Sequence, residues 1–520
     1  MPRRTVHLDS AATQTVGPAL AEIRKELEVP GPFTEEAVTE AEAAAAAAPT
    51  GGLDATDVEF VTIDPPGAKD LDQALHLARQ GDGYLVRYAI ADPASFVTPG
   101  GAIDTELADR GVTFYGPDGS ITLHPPVLSE GAASLLENVE RPACLWEIVL
   151  DATGEITSAK VYRARVRSRE QLTYDEVQER IDAGTASDSL ALLAVVGGLR
   201  QERERARGGV SLEIPEQEVD VDDGGYRLEY RATLPVEEWN AQISLLTGIA
   251  AAGLMRGKRA GIFRTLEQAD PRDVKRLRRA AHGLGIDWPA GASYGDVLAT
   301  LDGGVPAHAA FAQEATSLFR GAGYLAFDGE LPPTSEHAAI AAEYAHVTAP
   351  LRRLVDRYGL EVCLAATAGT DVPDWVREAL PGLPKIMNRS GQRANSYERA
   401  CVDLIEAVLL QPRVGETFDG VIVDLNERRN GKSARNGGNG TAGDATSGRN
   451  GTGRGGDALA ADATAAVVPD VVQEGTVVIA DPAVRASVTG ANLPLGESVR
   501  IRLTIADPGS REVRFELVGD

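Results

Sequence analysis

The sequence predicts an α+β fold, a mixed sheet surrounded by helices, followed by a small all-β barrel. Three observations predict it. Short apolar runs between turns fill residues 56–170, as in VEFVTID, YLVRYAIAD, ITLHPP and LWEIVLDATGEI. Helical periods dominate 171–410, as in YDEVQERIDAG, PRDVKRLRRAAHGLG and YERACVDLIEAVLL. Strand patterns return beyond Pro412 and Gly415. Strands followed by helices, rather than alternating with them, indicate α+β and not a doubly wound sheet. A chain of 520 residues with 43% hydrophobic content supports about two to four domains with sizeable cores.

Residues 1–55 read as a helical arm and linker. ALAEIRKELEVP has helical spacing and stops at a proline. EEAVTEAEAAAAAA reads as a solvated helix running into a Gly-rich joint. A packing or spacer role suits this arm better than a functional one. Residues 56–410 form the main domain, and 411–520 a barrel opening with VGETFDGVIVDL and resuming with TVVIAD, SVRIRLTIAD and EVRFELVG. Between these strands, about 427–465, lies a Gly-rich stretch with almost no bulky apolar residue. It cannot bury a core, so disorder is expected. Its arginines and lysine (Arg428, Arg429, Lys432, Arg435, Arg449, Arg454) suggest loose contact with a polyanion or, more simply, a flexible linker.

Three widely separated cysteines, Cys144, Cys363 and Cys401, offer neither a disulfide framework nor a zinc site. Together with the lack of an apolar h-region or a membrane-length run, they suggest a soluble cytoplasmic protein with no membrane partner. A monomer is expected, and no protein partner is evident. The net charge of −26 taken alone argues against nucleic acid. Total charge is not local charge, however, and two segments concentrate it.

The first is VTIDPPGAKDLDQAL. Asp64, Asp70 and Asp72 fall within nine residues of a loop stiffened by Pro65, Pro66 and Gly67 between two apolar runs. The cluster fits either a solvated loop or carboxylates neutralised by a divalent cation. Mg²⁺ takes one or two carboxylates and completes its shell with water and phosphate. The second segment is YAHVTAPLRRLVDRY. On a helix starting near Pro350, Arg353 and Arg357 would share a face and Arg352 would meet Asp356. That pattern suits an ordinary surface helix, or a clamp in which arginine forks hold phosphate.

Together these segments resemble the catalytic domain of the ribonuclease II family, the RNB domain. TIDPPGAKDLDQA resembles its TIDPxxAKDxDDA, and YAIADPASFV, VTFYGPDGSITLHPPVLSE and HAAIAAEYAHVTAPLRRLVDRY resemble later motifs in the same order. The resemblance covers about residues 56–410. It implies hydrolytic 3′→5′ exoribonucleases that thread single-stranded RNA and release nucleoside 5′-monophosphates with Mg²⁺, or Mn²⁺ as a substitute. It implies catalytic roles for Asp70, Asp72 and Arg352, and metal contacts from Asp64, Asp70, Asp72 and Gln73. It implies RNA contacts from Tyr115, Tyr174, Arg353 and Glu398, and from Glu237 or, as the preferred choice, Glu238. The C-terminal segment resembles the family's OB-type barrel.

Gln73 stands where the family pattern has a fourth aspartate. An amide oxygen is a weaker ligand, so weak second-metal binding, lower activity or a Mn²⁺ preference is expected. The alternative is a catalytically weakened homologue that binds RNA or regulates. Few residues precede the domain, so weaker grip on long RNA and lower processivity are expected.

Overall fold

The protein is described from a computed structural model. The described residues are 10–47, 51–211, 216–222, 225–231, 233–302, 305–425, 472–480 and 483–518. The Gly-rich stretch expected to be disordered lies outside them.

Two helices open the chain, α1 (Ser10–Glu26) and α2 (Glu35–Ala47). Neither is a loose spacer. Val16, Leu20 and Ile23 of α1 are buried with Phe114 and Tyr397. Ala37 and Ala41 of α2 are buried too. Glu40 accepts the backbone N–H of Ala102 at 2.6 Å, at the start of a later helix. Alanine at those two positions lets α2 lie close against its neighbours. That is why a run expected to be solvated has a buried face.

The core of the main domain is a closed barrel of β1 (Leu53–Ile63), β2 (Gln73–Gln80), β3 (Gly83–Ala91), β6 (Glu140–Leu150) and β7 (Ile156–Leu172). Between β3 and β6 come α3 (Ala102–Arg110) and the hairpin β4 (Phe114–Gly116) with β5 (Gly119–Ile121). Four barrel contacts are antiparallel, and β1 with β7 closes the barrel in parallel. Alternation of apolar and polar residues fills the interior with Phe60, Leu75, Val86, Tyr88, Trp146 and Ile148, each at most 2% exposed. Closure leaves no unpaired sheet edge.

The helical half follows. It comprises α4 (Tyr174–Asp182), α5 (Asp188–Ala206), the hairpin β8 (Glu216–Asp222) and β9 (Gly225–Arg231), α6 (Pro235–Lys258) and β10 (Ala260–Thr265). A small bundle of α7 (Pro271–Gly283), α8 (Tyr294–Leu298) and α9 (Pro306–Ala315) comes next, then β11 (Gly323–Asp328), which pairs with β10. The short strands β12 (Glu336–His337) and β13 (Ala342–Glu343) lead into the arginine segment. After it run α10 (Leu354–Ala368), α11 (Asp374–Ala379) and the long α12 (Leu383–Leu410). Among the described residues no helix is long and apolar enough to cross a membrane. The three cysteines are free and buried.

A second closed barrel ends the chain, with strand order β14 (Thr417–Leu425), β15 (Val472–Ile479), β16 (Val484–Ala491), β18 (Glu512–Leu517), β17 (Ser498–Asp507). This is the five-stranded OB-type barrel.

Candidate active site

The aspartate loop is pinned along its length. Asp64 N–H donates to Leu172 O at 3.0 Å, where β1 runs beside β7. Gln171 Nε2 donates to Ala68 O at 2.8 Å. Ser134 Oγ donates to Lys69 O at 2.6 Å and accepts from Leu71 N–H at 3.0 Å. Gly67 supplies a positive φ of 78° at the turn. Leu71 is fully buried. In extended chain its two neighbours then point to the other side, so Asp70 and Asp72 share a face.

Asp72 is itself 4% exposed. Its Oδ1 accepts Leu351 N–H at 2.8 Å and its Oδ2 accepts Arg352 Nε at 3.2 Å. Two segments far apart in sequence therefore meet at one carboxylate. The arginine segment is also tied to the strand leading into Tyr115, because Thr113 N–H donates to Arg352 O at 3.1 Å and Leu354 N–H to Gly111 O at 2.9 Å. Tyr115 Oη reaches Asp70 Oδ2 at 3.4 Å. Asp72 with Arg352 and Asp70 with Tyr115 are thus two contact pairs, joined through Leu71 and through the Thr113–Arg352 backbone bond.

The expected helix from Pro350 begins four residues later, at Leu354. A turn precedes it, in which Arg352 and Arg353 N–H both bond Ala349 O. This reverses the expected pairing. Arg352 meets Asp72, while Arg353 donates to Asp356 through Nε at 2.9 Å and Nη2 at 2.8 Å. Burial opposes the Arg353 charge, but Asp356 outweighs it and raises the guanidinium pKa. Arg357 is 1% exposed and pairs with Asp104. Arg353 and Arg357 therefore both have carboxylate partners within the protein.

Gln73 also has partners inside the protein. Its Nε2 donates to Thr348 O at 2.6 Å, and its Oε1 accepts the Tyr88 hydroxyl. Both ends of the amide are used inside the protein, joining β2 to the arginine segment. A metal-ligand role for Gln73 would require breaking or sharing the Tyr88 bond.

Tyr88 was missed in the sequence, although YLVRYAIAD alternates so as to turn it inward. It is fully buried, and burial raises its hydroxyl pKa well above the usual value. Tyr174, Asp64 and Asp72 add to that rise, while Arg352 opposes it. These four groups are therefore near enough for their charges to act on the Tyr88 hydroxyl. Tyr174 is the first residue of α4, whose Thr173–Glu176 capping box fixes the helix start.

Glu398 follows Tyr397 on α12. The Tyr397 ring lies against Gly116, where an added Cβ would come within 2.4 Å of its hydroxyl, so Glu398 sits on the helical turn flanking the Tyr115 hairpin. Glu238 accepts from Gln201 Nε2 at 2.8 Å, and Glu237 closes the cap of α6 on Leu234 N–H at 2.9 Å. Those contacts run to α5 and to the helix's own start.

Among the described residues no three His, Cys, Asp or Glu side chains converge closely enough to cage a metal ion. The donor chemistry still fits a hard cation. Asp64, Asp70 and Asp72 supply only oxygen, and Mg²⁺ bound beside a phosphate uses few protein carboxylates.

The profile of the RNB domain matches residues 53–362. That of the RNase II-type exonuclease C-terminal S1 domain matches 462–518. Ribonuclease R of Escherichia coli is 26% identical over 407 residues, covering 72% of this chain and 49% of that protein. The chain thus spans about half the length of that curated relative. Mycoplasma genitalium RNase R, solved with ribose-methylated single-stranded RNA, superposes with a TM-score of 0.76 at 17% identity, covering 96% of this chain and 78% of that one. Yeast Ssd1, described as a pseudonuclease, superposes at 0.58 and 16% identity, covering 80% and 51%. At such identities the structures establish likeness of fold. The profile match over more than half of the 520 residues settles the lineage: the chain belongs to the RNB-domain family and ends in an S1 barrel of the RNase II type.

Proposed function

We propose that the protein is a hydrolytic 3′→5′ exoribonuclease that shortens single-stranded RNA to nucleoside 5′-monophosphates with Mg²⁺. The observation carrying this reading is the contact of Arg352 with Asp72, beside Asp70 and the Tyr115 ring. A protein that only bound RNA would have no need to bury a carboxylate against an arginine there. Asp64, Asp70 and Asp72 would hold the cation. Bound there, it would help activate water and stabilise the leaving oxygen.

The chain's own groups supply the rest. Tyr115 offers a ring face on which any base stacks. Arg352 carries a permanent charge that stabilises the phosphate as negative charge builds on it. Tyr174 and Glu398 are assigned to the terminal ribose and base, where contact with the 2′-OH would separate RNA from DNA. Tyr88 and Gln73 hold β2 and the arginine segment together.

A second reading is a homologue that binds RNA without cutting it. The internal use of the Gln73 amide favours it, since that position offers no carboxylate and its oxygen already accepts from Tyr88. Incubation with 5′-labelled single-stranded RNA, with Mg²⁺ or Mn²⁺, beside Asp72→Asn, decides between them. Metal-dependent 3′ shortening that Asp72→Asn loses is expected. Retention of RNA with no shortening in either metal would select the second reading.

A further inference from the structure

Helix α7 is a charge outlier in an acidic protein. Over Pro271–Gly283 it carries Arg272, Lys275, Arg276, Arg278 and Arg279 against one acid, Asp273. All five cations are exposed, while Leu277 and Ala281 are buried. At 3.6 residues per turn, Arg272, Lys275, Arg276 and Arg279 fall within an arc of about 100° on the outer face. Arg272 and Arg279 lie roughly 10 Å apart along the axis, about one Debye length at physiological salt, so their fields add.

Two of the cations have internal work. Arg276 donates to Ser317 at 3.0 Å and lies 4.0 Å from Glu314. Arg278 sits over the Trp288 ring at 4.7 Å. Arg272, Lys275 and Arg279 pair with no carboxylate among the described residues. Nothing in the bundle's stability calls for three unpaired cations side by side, because its core is apolar, built on Leu277, Val297, Phe311 and Leu318.

The bundle abuts the S1 barrel. Gly496, between β16 and β17, lies so close to Leu284 that an added Cβ would approach to 2.0 Å, and α9 runs along β14. The stripe therefore sits beside the C-terminal barrel, on elements that do not hold the catalytic aspartates.

We infer that Arg272, Lys275 and Arg279 form an auxiliary phosphate-binding stripe that holds the RNA backbone outside the catalytic site. This rests on RNA being the substrate. An acidic protein partner fits less well, because protein interfaces centre on apolar or aromatic anchors and this face presents none. Cations one helical turn apart, two of them arginines with forked donors, suit a phosphate chain. The stripe also resolves the charge problem, since a chain of −26 attracts RNA only through a local concentration of cations.

The test compares the full-length protein with Arg272→Ala/Lys275→Ala/Arg279→Ala. Alanine preserves helix propensity at these exposed positions. Binding of a 30-nucleotide single-stranded RNA is followed against salt in EDTA, and shortening of a tetranucleotide is followed with Mg²⁺. Loss of three phosphate contacts lowers the log–log salt slope by about 2 and weakens binding by tens-fold at about 0.15 M salt. Tetranucleotide shortening stays at the wild-type rate, and Arg272→Lys/Arg279→Lys keeps the wild-type slope. A triple variant with unchanged slope and affinity overturns the inference, and so does an equal loss of tetranucleotide shortening. If the wild type neither binds nor shortens RNA, the proposed function fails as well. If it shortens RNA while the stripe proves indifferent, the stripe alone is refuted.

Discussion

Replacing Gln73 by aspartate, the residue the family pattern has there, separates two physical roles for that position. If Gln73 is a weak ligand, Gln73→Asp restores a carboxylate and tightens metal binding at no cost to the metal-free protein. The structure predicts a cost. Aspartate is one methylene shorter and, ionised, donates nothing. The bond to Thr348 O at 2.6 Å is lost, and a carboxylate is turned toward a carbonyl. The Tyr88 hydroxyl, in a side chain 1% exposed, loses its acceptor. A typical hydrogen bond contributes about 1 kcal/mol, and a buried polar group left unsatisfied costs about 1–3. The sum is roughly 2–4 kcal/mol. Gln73→Glu keeps the length and can still accept from Tyr88, so it should lose about half as much. The assay is the first urea-unfolding transition in EDTA, beside the Mg²⁺ concentration for half-maximal activity. Gln73→Asp as stable as wild type, with a lower Mg²⁺ midpoint, would refute the brace and restore the ligand.

Three further outcomes are expected. Tyr115→Ala removes a stacking surface of about 1–3 kcal/mol, raising KM for RNA some 5- to 150-fold. Tyr115→Phe, which loses only the 3.4 Å contact to Asp70, should stay within a few-fold, and equal defects would argue against stacking. Asp104→Ala strands Arg357, whose side chain is 1% exposed, and should cost about 3 kcal/mol of stability; Arg357→Met in the same background should recover much of that loss in urea unfolding. Burial lowers the pKa of His124 to about 4 from 6.5, against the opposing effect of its bond to Leu351 O. The unfolded chain therefore binds this proton first, and stability is lost as pH falls from 6.5 toward 4. At about 1.4 kcal/mol per pH unit the loss approaches 3 kcal/mol, and His124→Gln should flatten that part of the pH profile.

The aspartate loop was legible because its signals are local. Two prolines, a glycine and flanking apolar strands fix a rigid turn, and Leu71 between two aspartates sets their common side. The arginine segment was legible in composition and misleading in geometry. Helical spacing pairs Arg352 with Asp356, but the spacing holds no sign that Asp356 binds both Ala349 N–H and Arg353. Those bonds hold the chain in a turn until Leu354 and direct Arg352 elsewhere. The parallel closure of β1 on β7, in which Leu53 lies opposite Ala164, joins positions too distant for any periodicity to reveal. The role of α1 was hidden for the same reason. Arg24 Nε donates to Tyr397 Oη at 3.0 Å and its guanidinium pairs with Asp118 in the β4–β5 turn, which braces the Tyr115 hairpin from the far end of the chain.

On the proposed function, the contact between Arg352 and Asp72 also couples the two halves of the site to each other. Each group partly neutralises the other. A cation drawing on Asp72 weakens the hold of that carboxylate on Arg352 and leaves more of the guanidinium's charge for a phosphate. A phosphate drawing on Arg352 leaves more of the carboxylate's charge for a cation. Coupling of this kind is reciprocal by linkage, typically about 1–3 kcal/mol. RNA affinity should therefore rise about 5- to 150-fold between EDTA and saturating Ca²⁺, used as a hard cation of low turnover, and cation affinity should rise by the same factor with RNA. Asp72→Asn removes the carboxylate charge on which the exchange depends, so its RNA affinity should respond to Ca²⁺ much less. Equal RNA affinity with and without cation in the wild type would show that Asp72 and Arg352 act independently, and the ion pair would then be only a feature of the fold.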